Sequence, residues 1–312
     1  MSDTAITFTR VNRSFGKVDA VQDLDLDIAL GSVAVLLGPN GAGKTTTVRL
    51  ATGALQADRG TIKVLGMDPR VDGNAIRRAS GVVPPKAAFY DRLTGKENLE
   101  FAAKLWELGP SAPIEAAAER FGIRDALLQE VGGYSTGMRT RLSLARAILH
   151  EPTVLLLDEP TAGLDPESAR AVLDLIRDMA GQGRTIVMCT HLLHEAEGIA
   201  DQVVLMNEGH AWVAGHPDHL ADQYWSDNRV HFDAEDRNDL TVLSDLDGVV
   251  AASFNGHVTA ELDDLDRLPD IVEHLVGKGV RLTRVEPIQP TLEELYFEMQ
   301  RHRRGEREGW RS

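Results

Sequence analysis

Short, unbroken apolar runs punctuate this chain and separate longer amphipathic stretches. Val33 to Leu37, Val154 to Leu157 and Thr185 to Cys189 are too short for helices and show no polar alternation, which predicts strands buried on both faces of a parallel sheet. Between them the apolar period lengthens. Val48, Leu50, Ala51 and Leu55 predict a helix over Thr45 to Leu55, and Leu142, Leu144, Ala145, Ile148 and Leu149 predict another. Ala169, Val172, Leu173, Ile176 and Ala180 form one helical face, opened by Asp165-Pro166 as N-cap and first helical residue. Ala5 to Val11 and Leu24 to Ile28 read as short strands.

After Asp222 the pattern changes. Arg229 to Phe232 predicts a strand, Asp236 to Leu246 a helix, and Val249 to Phe254 and His257 to Leu262 two strands joined at Asn255-Gly256, a two-residue hairpin signal. Leu268, Ile271, Val272, Leu275 and Val276 give a helical face closed by Gly277, and Val280 to Val285 a last strand. The order β-α-β-β-α-β predicts a small α+β sandwich of ferredoxin-like type. It carries no cluster of catalytic type, and a final helix from Pro290 to Gln300 follows it.

The chemistry gathers where the apolar strands end. Gly38-Pro39-Asn40-Gly41-Ala42-Gly43-Lys44-Thr45 completes a G-x-x-x-x-G-K-[ST] loop between a predicted strand and a predicted helix, with Thr46 next. Its glycines let backbone N–H groups curl around an anion, and the following helix adds its positive end. Lys44 then reaches the β- and γ-phosphates, and the Thr45 hydroxyl is placed to ligate Mg²⁺. The run ending Leu157 closes on Asp158 and Glu159, two carboxylates at the C-terminal end of a parallel strand, where ligands of such sheets sit. Asp158 is the candidate for the Mg²⁺ shell and Glu159 for polarising the attacking water. His191 follows the Thr185 strand; with His194 and Glu195 it also matches a fragment of a metal site, but no third ligand of suitable spacing stands out.

In chain order the phosphate loop, Tyr134-Ser135-Thr136-Gly137-Met138, the apolar strand ending Asp158-Glu159-Pro160, Ala162-Gly163-Leu164-Asp165 and Thr190-His191 resemble the ATP-binding cassette of ABC transporters. Ser135 lies 23 residues before Asp158, and His191 lies 33 after it. The resemblance implies a P-loop α/β cassette over residues 5–222, with a mixed sheet core, an antiparallel β arm and a helical subdomain at about 86–150. An accessory domain at 228–301 and a flexible tail at 302–312 complete the expected layout. It implies ATP and Mg²⁺ as cofactors, with Gly38 to Thr46 as the cradle, including Pro39, Asn40, Gly41, Ala42 and Gly43, and Phe15 stacked on adenine. Lys44, Glu159 and His191 would be the catalytic set, and Thr45 and Asp158 the metal ligands. In the family the signature loop completes the site in trans, so Ser135 and Gly137, with Asp165 across the seam, would serve the nucleotide of a second cassette, in a homo- or heterodimer.

Phe89-Tyr90, Leu93-Thr94 and Glu97-Asn98-Leu99 resemble the face that receives a coupling helix from multi-span membrane permease subunits. The C-terminal pattern resembles the ending of cassettes that power small-molecule and drug exporters with separately encoded membrane subunits. One position departs from the family: Pro85 stands where most cassettes carry glutamine, and proline offers no side-chain ligand. Either Lys86 or backbone groups substitute there, or hydrolysis is slow. Two other readings stay open: a soluble cassette ATPase in translation, DNA repair or cluster assembly, and a weakly hydrolysing regulatory cassette.

Composition narrows the setting. With 312 residues and 43% hydrophobic content the chain has material for two domains with sizeable cores. No run approaches the 18 or so apolar residues of a membrane span, and the first residues lack a signal peptide's basic flank and apolar stretch. Net charge −15 disfavours nucleic acid or anionic lipid as the main partner. Arg301, Arg303, Arg304 and Arg307 read as a solvated end. A single cysteine, Cys189, excludes an internal disulfide. The expected location is cytoplasmic, peripheral on the cytoplasmic face of the cell membrane.

Overall fold

The computed structural model describes residues 4–225, 228–254 and 258–299. The Asn255-Gly256 turn, the end of the last helix at Gln300 and the arginine-rich tail lie outside the described residues. The chain separates into two compact units, one reaching Pro217 and the other beginning at Asp218.

In the first unit, β1 (Thr4–Phe15) and β2 (Val18–Ala29) form a hairpin, and β3 (Val33–Leu37) runs through a glycine-rich loop into α1 (Lys44–Ala51). β4 (Arg59–Val64) returns to pair with β1, giving an antiparallel sheet of order β2-β1-β4. α2 (Gly73–Ala79) and β5 (Ser80–Val83) lead into a helical region of α3 (Gly95–Leu105), α4 (Ile114–Arg120) and α5 (Thr136–Ile148). β6 (Val154–Asp158), α6 (Pro166–Gly181), β7 (Thr185–Thr190), the four-residue α7 (Leu193–Ala196), β8 (Gln202–Asn207) and β9 (His210–Gly215) follow. The six-stranded sheet they build has the order β5-β6-β7-β3-β8-β9, parallel throughout except for β9. Every residue of β3, β6 and β7 is buried, as strands covered on both faces require.

Helix ends follow local chemistry. Thr94 opens α3 with a capping box: its hydroxyl accepts from the Glu97 amide while the Glu97 carboxylate accepts from the Thr94 amide. Asp165 caps α6 with Pro166 in its first turn. α1 stops four residues short of Leu55, because Gly53 turns left-handed at φ 70° just past the last turn.

The hairpin strands are 12 residues each, longer than the apolar pattern indicates. The alternation breaks at Asn12, yet pairing continues through register shifts to Phe15–Val18, where Gly16 at φ 62° turns the chain.

The second unit begins near α8 (Pro217–Tyr224). Its sheet joins β10 (Arg229–Ala234), β11 (Val249–Ser253), β12 (Val258–Leu262) and β13 (Leu282–Pro287) in the order β11-β12-β10-β13, all antiparallel. With the 3-10 stretch Arg237–Asp245 and α9 (Leu268–Gly277) as crossovers, this is the strand order expected of a ferredoxin-like α+β sandwich. Three details differ from the pattern. The first crossover is a 3-10 helix; Val276 is exposed; and β13 starts two residues late. The delay arises because the positive-φ residue is Gly279, not Gly277, and the Val280 amide turns back to the Leu275 carbonyl at 3.0 Å.

Phe232 is fully buried at the centre of this second core, among Val230, Leu240, Val258 and Leu275. Phe232→Ala is expected to cost the second unit about 3–5 kcal/mol. Urea unfolding of the full chain followed by circular dichroism then splits into two steps, with the lesser melting first.

Candidate active site

Sheet order alone brings three distant segments together. β7 lies between β6 and β3, with Asp158 opposite Cys189 and Leu37 opposite Thr190, so Gly38, Glu159 and His191 leave the sheet side by side at the carboxyl ends of the strands.

The loop after β3 is shaped by contacts that admit no side chain. A Cβ at Gly38 would sit 2.0 Å from the Met206 carbonyl oxygen, and one at Gly43, where φ is 103°, would sit 2.4 Å from the Ala20 oxygen. The β8–β9 turn braces the loop further, since the Gly209 amide donates to Ala42 O at 3.1 Å. These braces from Ala20, Met206 and Gly209 were invisible in the sequence, where nothing ties those positions to the loop. Lys44 is buried, and its ammonium donates to Gly38 O at 2.6 Å and Pro39 O at 3.2 Å.

A polar line runs from that ammonium. Lys44 Nζ lies 3.5 Å from Glu159 Oε1, and His191 Nδ1 lies 2.7 Å from Glu159 Oε2. Because a carboxylate only accepts, Nδ1 carries the proton and Nε2 remains for another partner. Glu159 itself adopts a left-handed backbone, φ 53°, held by its amide to Cys189 O at 2.9 Å. Strain of this kind collects at functional positions.

Asp158 is 2% exposed, and its Oδ1 has no hydrogen-bond partner. Burial pushes its carboxyl above the ordinary range, opposed by a hydrogen bond from the Thr45 hydroxyl and reinforced by Glu159. A buried, under-satisfied carboxylate oxygen beside a hydroxyl suits a hard divalent cation. Mg²⁺ is held in such sites by one or two protein oxygens together with phosphate oxygens. Among the described residues no cluster of three His, Cys, Asp or Glu side chains able to hold a metal is present.

The remaining predicted residues form two other groups. Ser135 caps α5 through the Met138 amide at 3.2 Å, and Gly137 faces α6, where a Cβ would meet Ser168 Oγ at 3.6 Å. Asp165 accepts from the Ser168 amide at 2.9 Å and hydroxyl at 2.7 Å, and the amide chiefly holds its carboxyl below the usual value. Among the described residues, no hydrogen bond or ion pair joins Ser135, Gly137 or Asp165 to the Lys44–Glu159–His191 line. Phe15, at the hairpin tip, is 44% exposed, with the Arg13 guanidinium 4.7 Å from its ring centroid. Arg13 is fixed in turn by Asp58 at 2.8 Å, a buttress that sequence spacing did not reveal. Pro85 and Lys86 are exposed just past β5, and Lys86 makes no hydrogen bond or ion pair among the described residues.

The model of the ABC transporter family matches residues 21–162. The daunorubicin resistance ATP-binding protein DrrA3 of Streptomyces coeruleorubidus is 35% identical over 305 residues, covering 96% of each chain. The ABC transporter ATP-binding protein NatA of Bacillus subtilis is 36% identical over 218 residues, 67% of this chain and 89% of that one. A solved ATP-binding subunit of an ABC transporter superposes with a TM-score of 0.64 at 26% identity, over 71% of this chain and 93% of that one.

The raised Asp158 carboxyl has a stability consequence. A group whose folded pKa lies above its unfolded value stabilises the fold below the ordinary 3.8, and that contribution is lost as pH rises through the raised value. At neutral pH the charge is therefore a net cost to the ligand-free chain. Asp158→Asn is expected to raise stability by roughly 1 kcal/mol, or about 2–4 °C in Tm for a unit of this size, in calorimetry without nucleotide or metal.

Proposed function

The chain belongs to the ABC transporter family as an ATP-hydrolysing subunit, and on that premise we propose that it powers export of a small, drug-like molecule through separately encoded membrane subunits. The chemistry of this reading rests on the line Lys44–Glu159–His191, at 3.5 and 2.7 Å. Its cargo class rests on full-length similarity to a daunorubicin resistance protein.

In this reading the backbone amides from Gly38 to Lys44 cradle the ATP phosphates, and Lys44 moves its hydrogen bonds from Gly38 O and Pro39 O to phosphate oxygens. The Thr45 hydroxyl and Asp158 would hold Mg²⁺, which would neutralise developing phosphate charge. Released from Lys44, Glu159 accepts a hydrogen bond from the attacking water and draws its proton away. His191, kept by Glu159 in the tautomer with Nδ1 protonated, accepts from the same water through Nε2. Positioning and electrostatics supply most of the rate, as is usual for phosphoryl transfer. Phe15, presented at the hairpin tip, stacks on adenine. Ser135 and Gly137 serve a nucleotide held by a second cassette, which agrees with their separation from this chain's own line.

An apolar face suits the membrane subunits. Tyr90 and Phe101 meet edge to face at 5.2 Å and, with Leu105, are 55%, 42% and 68% exposed; such patches on a soluble surface mark protein contacts. Among the described residues no helix is long and apolar enough to cross a membrane.

Two experiments test the reading. Glu159→Gln is expected to slow ATP hydrolysis by about 10² to 10⁴-fold with ATP binding intact, in turnover and nucleotide-binding assays on the purified complex; full turnover would remove Glu159 from the reaction. The tagged chain, purified from detergent-solubilised membranes, is expected to retain a multi-span protein near stoichiometry by mass spectrometry. Recovery with ribosomes or with a soluble partner alone would sink the exporter assignment.

A further inference from the structure

Glu195 is a buried carboxylate that the hydrolytic scheme leaves unused. It is 2% exposed, on the single turn of α7. Its Oε2 accepts from the Thr190 hydroxyl at 2.5 Å, and the same hydroxyl oxygen accepts from the Leu192 amide at 3.0 Å. The Glu195 amide returns to Leu192 O at 3.2 Å, closing a small polar ring. His191 lies inside that ring in sequence, flanked by two of its members, Thr190 and Leu192, and its own side chain is 42% exposed, with the bond to Glu159 at 2.7 Å.

The two neighbours of His191 are anchored by this ring, which does not include the histidine's own side chain. Thr190 is fully buried at the end of β7, in register with Leu37. Its hydroxyl therefore reports the position of the sheet edge, and Glu195 locks that hydroxyl in one rotamer. A buried carboxylate is an expensive way to fill space, since an apolar side chain of similar size desolvates at far lower cost. Packing alone does not account for it, whereas a need to fix the turn at residues 190–192 does. His191, His194 and Glu195 line one open cleft of about 510 Å³ with Arg170 and Arg177, and there Oε2 of Glu195 is engaged by Thr190.

We propose that Thr190 and Glu195 are positioning residues for His191, holding its turn so that the imidazole stays seated on Glu159 with Nε2 free. The proposal rests on the hydrolytic role of His191 given above. Both residues are buried, so their removal is expected to act on turnover and spare binding.

The test is steady-state ATP hydrolysis by the tagged chain purified with its membrane subunits. Thr190→Val keeps shape and deletes the hydroxyl; it is expected to lower kcat by about 5- to 50-fold while KM for ATP stays within about twofold. Glu195→Ala behaves alike, and carries the test if Thr190→Val does not fold. Thr190→Ser and Glu195→Gln, which restore a donor and an acceptor, recover most of the turnover. In a His191→Ala background, Thr190→Val is expected to cost nothing further, because residues that act through one another are not additive. Unchanged kcat in Thr190→Val, a loss confined to KM, or independent multiplication with His191→Ala would each overturn the proposal. If His191→Ala itself retains full turnover, the hydrolytic role of His191 fails and the proposal falls with it; a slow His191→Ala beside a normal Thr190→Val overturns the proposal alone.

Discussion

Parallel pairing of β6, β7 and β3 is the constraint from which the site hangs. Each strand is buried on both faces, so its register is set by apolar packing and cannot slip without exposing that packing or unpairing buried amides. With Asp158 opposite Cys189 and Thr190 opposite Leu37, three loops must leave the sheet within one side chain's reach of each other. The polar groups meet because the apolar ones cannot move.

Glu159 is where that rigidity shapes the candidate site. A non-glycine residue in the left-handed region costs on the order of 1–2 kcal/mol, and here its backbone is held on both sides, through Cys189 O at 2.9 Å and from the Ala162 amide at 3.1 Å. The turn throws the carboxylate back over the strand end, between Lys44 and His191. The same rigid edge carries Thr190, which lets a buried Glu195 govern a histidine that has little packing of its own.

The site is also unfavourable in places where function needs it to be. Asp158 keeps an oxygen without a partner in a buried setting, a cost that the proposed cation would relieve. Net charge −15 belongs to the surface as a whole. At the loop the local field is set instead by Lys44, the glycine amides and the start of α1, so an acidic protein still presents a cradle for anions.

Much of this was legible in the residues alone, wherever the interaction is local. The glycine loop, the strand ending in Asp158-Glu159, the Asp165 cap of α6 and the succession of elements along the second unit all follow from spacing and side-chain type within a few positions. Chain-order motifs identified the family, but spacing carries no information about which strand lies beside which. Only the tertiary structure decided that β7 separates β6 from β3, that Ala20, Met206 and Gly209 brace the loop, that Arg13 and Asp58 support Phe15, and that Glu195 bonds Thr190. Those contacts depend on packing across long stretches of chain, where loop length leaves the meeting point open and burial of apolar area selects it.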